Sequence, residues 1–310
     1  MNRAAWGGLL LLAALAGGCR WIAPDVPPER LPRFERPAAP PKIVLVLGSG
    51  GPRGFAHIGV MKVLEENGVH ADFIVGSSVG AMVGALSASG LSAVELERLS
   101  EKLKVSDFFE PGMLGIGRTT GAVVQNYINA QVGGRAMEQL RIPFAAAAMR
   151  VRDRQLVLFD RGDTGLAVRA SSATPGQFDP VRIGSDAYVD GDEASPVPIR
   201  AARSLGARVV IAVDVSAYLQ DTPPGAPREW VVKDERRAKQ VAAEAPEADV
   251  LLHPNIGYYA GASDEYRRRV ISLAEAYARS RMPAVRAALA RAGVAQATSI
   301  EAMPSGVASR

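Results

Sequence analysis

The sequence predicts an α/β fold with three layers, α/β/α, built around a mostly parallel central sheet. Continuous aliphatic runs recur near 42–47, 71–75, 206–214 and 248–252 without polar alternation, as in strands buried on both faces. Helical stretches alternate with these runs, the pattern of a parallel sheet covered on both sides. The first two strands also each lead into a glycine-containing turn and then a helix, where backbone amides are freed at the sheet's edge.

Composition bounds the rest. The chain has 310 residues, room for one large domain or two small ones, and 48% hydrophobic content is ample for a core. Lys and Arg number 36 against 32 Asp and Glu, and a difference of +4 gives no electrostatic footprint for nucleic acid. One cysteine excludes an intramolecular disulfide and a Cys-rich zinc site, and no other ligand cluster suggests a metal or cofactor.

In chain order, Met-Asn-Arg precedes an apolar run, Ala4 to Ala16, followed by Gly17-Gly18-Cys19. A basic start, a short apolar stretch and small residues form a secretory signal pattern, and the run falls short of the roughly 20 residues needed to span a bilayer. Leu15-Ala16-Gly17-Gly18-Cys19 resembles a bacterial lipobox, with Ala16 where a larger aliphatic residue is usual. The resemblance implies a signal peptide over 1–19, lipidation of Cys19, and attachment to a membrane surface through that anchor; ordinary cleavage and release is the alternative. Because Arg20, not Asp, follows the cysteine, it also implies an exported lipoprotein of the outer membrane facing the periplasm. Residues 20–41 carry seven prolines from Pro24 to Pro41 and read as a stiff, extended tether. The folded domain is expected over 42–292, with a flexible tail over 293–310.

Lys42-Ile-Val-Leu-Val-Leu47 runs into Gly48-Ser-Gly-Gly-Pro-Arg-Gly54, and an amphipathic helix follows. A dinucleotide loop needs glycine where Arg53 stands, and a P-loop needs Gly-Lys-Ser/Thr where Arg53-Gly54-Phe55 stands. An oxyanion hole is the third reading; Pro52 has no N–H, so its donors come from Gly50, Gly51, Arg53 or Gly54. The loop alone does not decide among them.

The second strand ends in Gly76-Ser77-Ser78-Val79-Gly80, the G-x-S-x-G pattern of a nucleophile elbow centred on Ser78. Small residues at Gly76 and Gly80 leave space for the sharp turn. The helix that follows directs its N-terminal amides toward negative charge near Ser78.

Four segments in order now carry a resemblance. They are Gly48-Ser-Gly-Gly-Pro-Arg-Gly54, Ile74-Val-Gly-Ser-Ser78-Val-Gly80, Ala170-Ser-Ser-Ala-Thr-Pro175-Gly-Gln-Phe178 and Tyr188-Val-Asp190-Gly191. Together they are similar to the patatin-like phospholipase family, in its short bacterial form, over roughly 42–289. The resemblance implies a patatin-like fold and a serine acyl hydrolase acting on a phospholipid, lysophospholipid or other lipid ester. It implies a Ser78–Asp190 dyad and an oxyanion hole at Gly50, Gly51 and Arg53, with the Arg53 side chain bracing the loop.

Other readings stay open. A Ser–His–Asp esterase would use Ser78, Asp190 and His253, in the chain order of α/β-hydrolases. His57 is expected to orient local backbone and His70 to be solvated. Asp192 departs from the family's Gly or Ala after Asp-Gly: in an extended strand it would share a face with Asp190, but it is expected to turn into solvent. A damaged site would make the protein a lipid-binding module on the same fold. Further on, 219–246 reads as a surface loop plus helix, with a flap over the site as the alternative. Asp264–Arg279 reads as a helix with Tyr266, Val270, Leu273 and Tyr277 inward and the Arg267–Arg269 run on a solvated face, contact with anionic lipid heads being the alternative.

Overall fold

The fold follows from which residues of each strand must be buried. In the computed structural model, which describes residues 25–103 and 119–295, all five residues of strand β1 (Ile43–Leu47) are buried. Ile43, Leu45 and Leu47 enter one core and Val44 and Val46 another, so the two-residue period of a strand delivers apolar groups to both faces of the sheet. The glycine loop and helix α1 (Phe55–Glu66) lead to β2 (Phe73–Ser77), the elbow, and helices α2 (Val79–Ala88) and α3 (Ala93–Ser100). Then come α4 (Ala122–Gln131), β3 (Phe144–Arg150), β4 (Leu156–Phe159), α5 (Thr164–Ser171), β5 (Val181–Ile183) and β6 (Asp186–Asp190). The remainder is α6 (Ile199–Ser204), β7 (Val209–Val213), α7 (Arg228–Glu244), β8 (Val250–Leu252) and α8 (Asp264–Arg291).

These strands form one eight-stranded sheet. Neighbours β3–β2–β1–β7–β8 pair in parallel, while β4 and β6 pair antiparallel to β3, and β5 to β6. The larger core packs α1–α5 and α8 on one face; the smaller packs Ile199 and Ala202 of α6 and Val241 of α7 on the other. This is the three-layer α/β/α arrangement with a mostly parallel sheet.

The register on β3 positions the chemistry. Ser77 stands opposite Ala147, and Asp190, 113 residues later, stands opposite the next residue, Ala148. One strand thus aligns the end of β2 with the end of β6.

The proline-rich segment makes more contacts than its composition suggests. A turn of 3-10 helix at Pro28–Arg30 is followed by a bridge between Arg33 and Arg161. Asp163 N donates to Arg30 O at 2.7 Å, and Glu35 N to Asp160 Oδ1 at 2.8 Å. Prolines remove donors at their own positions, but the residues between them keep theirs and pair with the connection from β4 to α5. The segment expected to be a signal peptide, with Cys19, and the residues beyond 295 lie outside the described residues.

Two sequence expectations on α8 change. Leu273 is exposed rather than inward, and Arg267 is buried, donating to Leu103 O at 2.9 Å and to Ser100 O. A guanidinium on a long stem satisfies those carbonyls at the end of α3, an arrangement that local periodicity does not encode.

Candidate active site

At the elbow the backbone is forced into a sparsely populated region: Ser78 has φ 55° and ψ −124°. The flanking glycines permit it. A Cβ on Gly80 would lie 2.0 Å from Leu47 O, and one on Gly76 would lie 2.5 Å from Ala81 Cα. The turn is further pinned by Ser171, whose Oγ accepts from Ser78 N at 3.0 Å and donates to Ala147 O at 2.6 Å.

The result is a side chain aimed at one acceptor. Ser78 Oγ donates to Asp190 Oδ2 at 2.8 Å. That oxygen also accepts from Thr174 Oγ1 at 2.6 Å, while Oδ1 accepts from Asp192 N at 3.0 Å. Asp190 is almost wholly buried, and burial first, then the Asp192 charge, pushes its carboxyl up to about 6, against the hydrogen bonds from Thr174, Asp192 and Ser78. A carboxylate of raised basicity bonded to a serine hydroxyl can accept that hydroxyl's proton near neutral pH.

The glycine loop lies beside this pair. Gly48 N donates to Val213 O at 2.9 Å and Ser49 N to Pro196 O at 2.8 Å, anchoring its entrance. Gly51 takes φ 55°, and a Cβ on Gly50 would meet Val215 Cγ2 at 2.7 Å, so both positions require glycine. Arg53 N is spent on Gly50 O at 3.2 Å, closing a 3-10 turn, while the Gly50 and Gly51 amides at its start have no protein acceptor among the described residues. The Arg53 amide, expected among the oxyanion donors, is occupied by this local turn bond, which composition does not reveal. The buried Arg53 guanidinium instead donates to Tyr258 O, bracing the loop against the 255–262 segment.

Each histidine has a place. His57 is fully buried with Nε2 on Gly48 O at 2.8 Å; burial pushes it down to about 4, so the neutral ring donates to that carbonyl and holds the loop entrance. His70 is exposed. His253 stacks on Tyr218 with centroids 4.0 Å apart, and its Nε2 faces Ser216 O at 3.0 Å while Nδ1 lies 3.6 Å from Asp214. Neither ring nitrogen bonds to Ser78 or Asp190.

Asp192 is the main correction at the site. It does not turn into solvent; it is 3% exposed and its carboxylate is fully engaged. Oδ1 accepts from Arg237 Nε at 2.7 Å and from Ser49 Oγ, and Oδ2 accepts from Arg236 Nη2 at 2.9 Å. These bonds and the neighbouring Arg237 and Lys233 charges overcome burial and hold its carboxyl below the usual carboxylate range. The chain turns at Gly191–Glu193 instead of continuing the strand, so Asp190 and Asp192 diverge. Arg236 and Arg237 sit in a charged stretch that reads as a solvated helix, 44 and 45 residues from their partner, and no local signal marks them. Thr174 and Ser171 fall within the quoted Ala170–Phe178 segment, but nothing in the sequence assigned them a contact.

Next to Ser78 opens an apolar cavity of about 210 Å³ whose walls include Phe55, Ile58, Met82, Val83, Leu96 and Val124. Gly51 and Thr174 also line it, so the glycine loop and the Asp190 partner border the same space.

Comparison with known proteins agrees with this architecture. Residues 45–203 match the model of the patatin-like phospholipase family. An uncharacterized NTE family protein of Mycobacterium tuberculosis is 32% identical over 203 residues, 63% of this chain and 56% of that protein. A lysophospholipase of Coccidioides immitis is 31% identical over 205 residues, 62% of this chain and 13% of that protein. The chain therefore spans little more than half of the mycobacterial relative and a small part of the fungal one. The crystal structure of VipD from Legionella pneumophila superposes with a TM-score of 0.54 at 12% identity, over 85% of this chain and 71% of that one, a likeness of fold. With its matched segment running from the first strand through the elbow and Asp190 to α6, this chain belongs to the patatin-like phospholipase family.

Proposed function

We propose that the protein hydrolyses lipid esters, with Ser78 as nucleophile and Asp190 as general base. The observation that carries this reading is the 2.8 Å bond from Ser78 Oγ to a buried carboxylate of raised basicity, at the mouth of an apolar cavity. Family membership supports the same reaction class, and the fungal relative's name favours a lysophospholipid among lipid esters.

In the first step Ser78 Oγ attacks the ester carbonyl carbon as its proton passes to Asp190. The carbonyl oxygen takes the charge and is met by the Gly50 and Gly51 amides, with the N-terminus of α2 adding a favourable dipole. Asp190 then gives its proton to the departing alcohol oxygen as the C–O bond breaks, leaving an acyl-enzyme. Water attacks that acyl group, Asp190 takes the water's proton, and collapse returns the proton to Ser78 Oγ with release of the acid. The acyl chain occupies the cavity, whose apolar wall removes it from water at roughly 0.8 kcal/mol per buried methylene. Among the described contacts, the engagement of both His253 nitrogens elsewhere favours the dyad over a Ser–His–Asp arrangement.

A panel of esters of increasing acyl length tests the assignment. We expect turnover to depend on an apolar chain, and Val83→Phe, which narrows the cavity at a half-buried wall position, to reduce hydrolysis of long-chain esters about tenfold relative to butyrate esters. A uniform loss across all chain lengths would place the acyl group elsewhere.

We further propose, on the lipobox resemblance of Leu15–Cys19 alone, that the protein attaches to a membrane surface through a lipidated Cys19, as an exported lipoprotein of the outer membrane. Metabolic labelling with an alkyne fatty acid checks this. Incorporation that disappears in Cys19→Ser is expected; labelling that survives the substitution would refute the anchor.

A further inference from the structure

The mechanism uses Asp190, but the carboxylate two residues on is built into the same place. Asp192 is buried, accepts Ser49 Oγ from the glycine loop, and is clamped by Arg237 Nε at 2.7 Å and Arg236 Nη2 at 2.9 Å from α7. Its own backbone N–H donates to Asp190 Oδ1 at 3.0 Å. A second chain of contacts closes on the same helix. Arg53 donates to Tyr258 O, Tyr258 Oη donates to Asp234 Oδ2 at 3.0 Å, and Asp234 lies 3.9 Å from Arg237. The glycine loop thus reaches α7 by two routes, through Asp192 and through Tyr258 and Asp234, and the first of these also holds the turn carrying Asp190.

We infer that Asp192 is a positioning residue of the Ser78 reaction: it ties the glycine loop to the turn bearing Asp190, and its negative charge sets how readily that base takes a proton. The inference rests on the dyad reading above and extends it to residues that reading does not use. A group confined to a structural ion pair would not need a contact to each half of the machinery. Here one carboxylate bonds the loop through Ser49 and shares a two-residue turn with the base.

The charges facing the pair determine the sign of the effect. Asp190 has Asp192 on its own turn, Ser78 and Thr174 in contact, and the Arg237 and Lys233 charges from α7. Opposite it, β3 presents Ala147 and Ala148, which carry no charge. Asp192 has Arg236, Arg237 and Lys233 against it, with Glu193 alongside bonded to Arg236. Removing the Asp192 charge takes away a like charge and leaves those cations facing Asp190. Both changes favour the ionised base.

The test is the pH profile of kcat/KM for the full-length protein with a soluble short-chain ester. In Asp192→Asn, which keeps an acceptor for Ser49 and Arg237, we expect the acid limb to move to lower pH by about one unit. In Ser49→Ala, which keeps every charge, the limb should stay while kcat falls about tenfold with KM little changed, because a displaced oxyanion donor acts on the transition state. A limb that stays fixed or rises in Asp192→Asn overturns the inference, as does an unaltered kcat in Ser49→Ala. Should Asp192→Asn not fold, the Ser49→Ala result still decides whether the tie matters. Failure of the underlying reading has a different signature: hydrolysis by the parent protein would then be absent, or would survive Ser78→Ala.

Discussion

Ser78→Ala is expected to reduce ester hydrolysis by at least about a thousandfold while leaving the fold intact. The hydroxyl is the only part removed, and it makes one side-chain bond, to Asp190. The strained elbow remains, since Ser78 φ 55° is set by Gly76, Gly80 and the Ser171 contact to the backbone N–H rather than by the hydroxyl. Circular dichroism and thermal unfolding should therefore match the parent protein, and the loss should appear in kcat with substrate binding preserved. A variant that retains more than about a tenth of parental turnover would mean that another group, or water directly, attacks the ester carbonyl.

Asp190→Asn carries the second large effect, and it acts on two observables in opposite directions. Without a proton acceptor at 2.8 Å, hydrolysis should fall by about two to four orders of magnitude. Stability should rise. The folded-state pKa of Asp190 lies near 6, above its ordinary 3.8, so the fold favours the protonated form. Between those values stability declines as pH rises, and above pH 6 the buried charge is a standing cost. An asparagine removes that cost and still accepts from Asp192 N, so a gain of about 1–2 kcal/mol is expected at pH 8, vanishing below pH 4. Urea unfolding at both pH values checks the sign. On the proposed dyad, ester hydrolysis by the parent protein should likewise drop as pH falls through about 6 and stay level above it. A variant that is both inactive and markedly less stable would assign Asp190 a structural role.

Legibility divides along the chain by distance between partners. The nucleophile elbow was readable because its requirements lie within five residues: a strand, a serine and two glycines whose Cβ atoms would strike Leu47 and Ala81. Strands β1, β2, β7 and β8 were readable from their unbroken aliphatic runs, and those runs also indicated the two-sided burial that defines the layers. The pairing of Ser78 with Asp190 was accessible only through family resemblance, because it depends on both strands being registered on β3. What the sequence concealed were contacts that cross between elements without a pattern of their own. Asp192 reads as an Asp-Gly-Asp turn facing water until Arg236 and Arg237 arrive from a helix whose composition is that of a solvated face. Arg267 looks like the first of three exposed arginines, yet it lies over the end of α3. Thr174 had no periodicity to mark it, and its 2.6 Å bond to Asp190 emerges only when α5 returns past the sheet.

The geometry also separates two kinds of control over one base. Burial raises the basicity of Asp190, whereas hydrogen bonds from Thr174, Asp192 and Ser78 oppose that rise and fix its orientation. Loss of the Thr174 hydroxyl would both loosen the carboxylate and let its basicity rise further, whereas loss of the Asp192 charge would lower that basicity.

Covalent trapping tests the central assignment most directly. An alkyl fluorophosphonate, incubated with the protein and followed by peptide mass spectrometry, should leave a single adduct on Ser78 and abolish ester hydrolysis in proportion to its occupancy. Labelling should slow sharply in Asp190→Asn and below pH 6. Hydrolysis that continues with Ser78 fully modified, or an adduct on a different residue that tracks the loss of activity, would contradict the Ser78–Asp190 account.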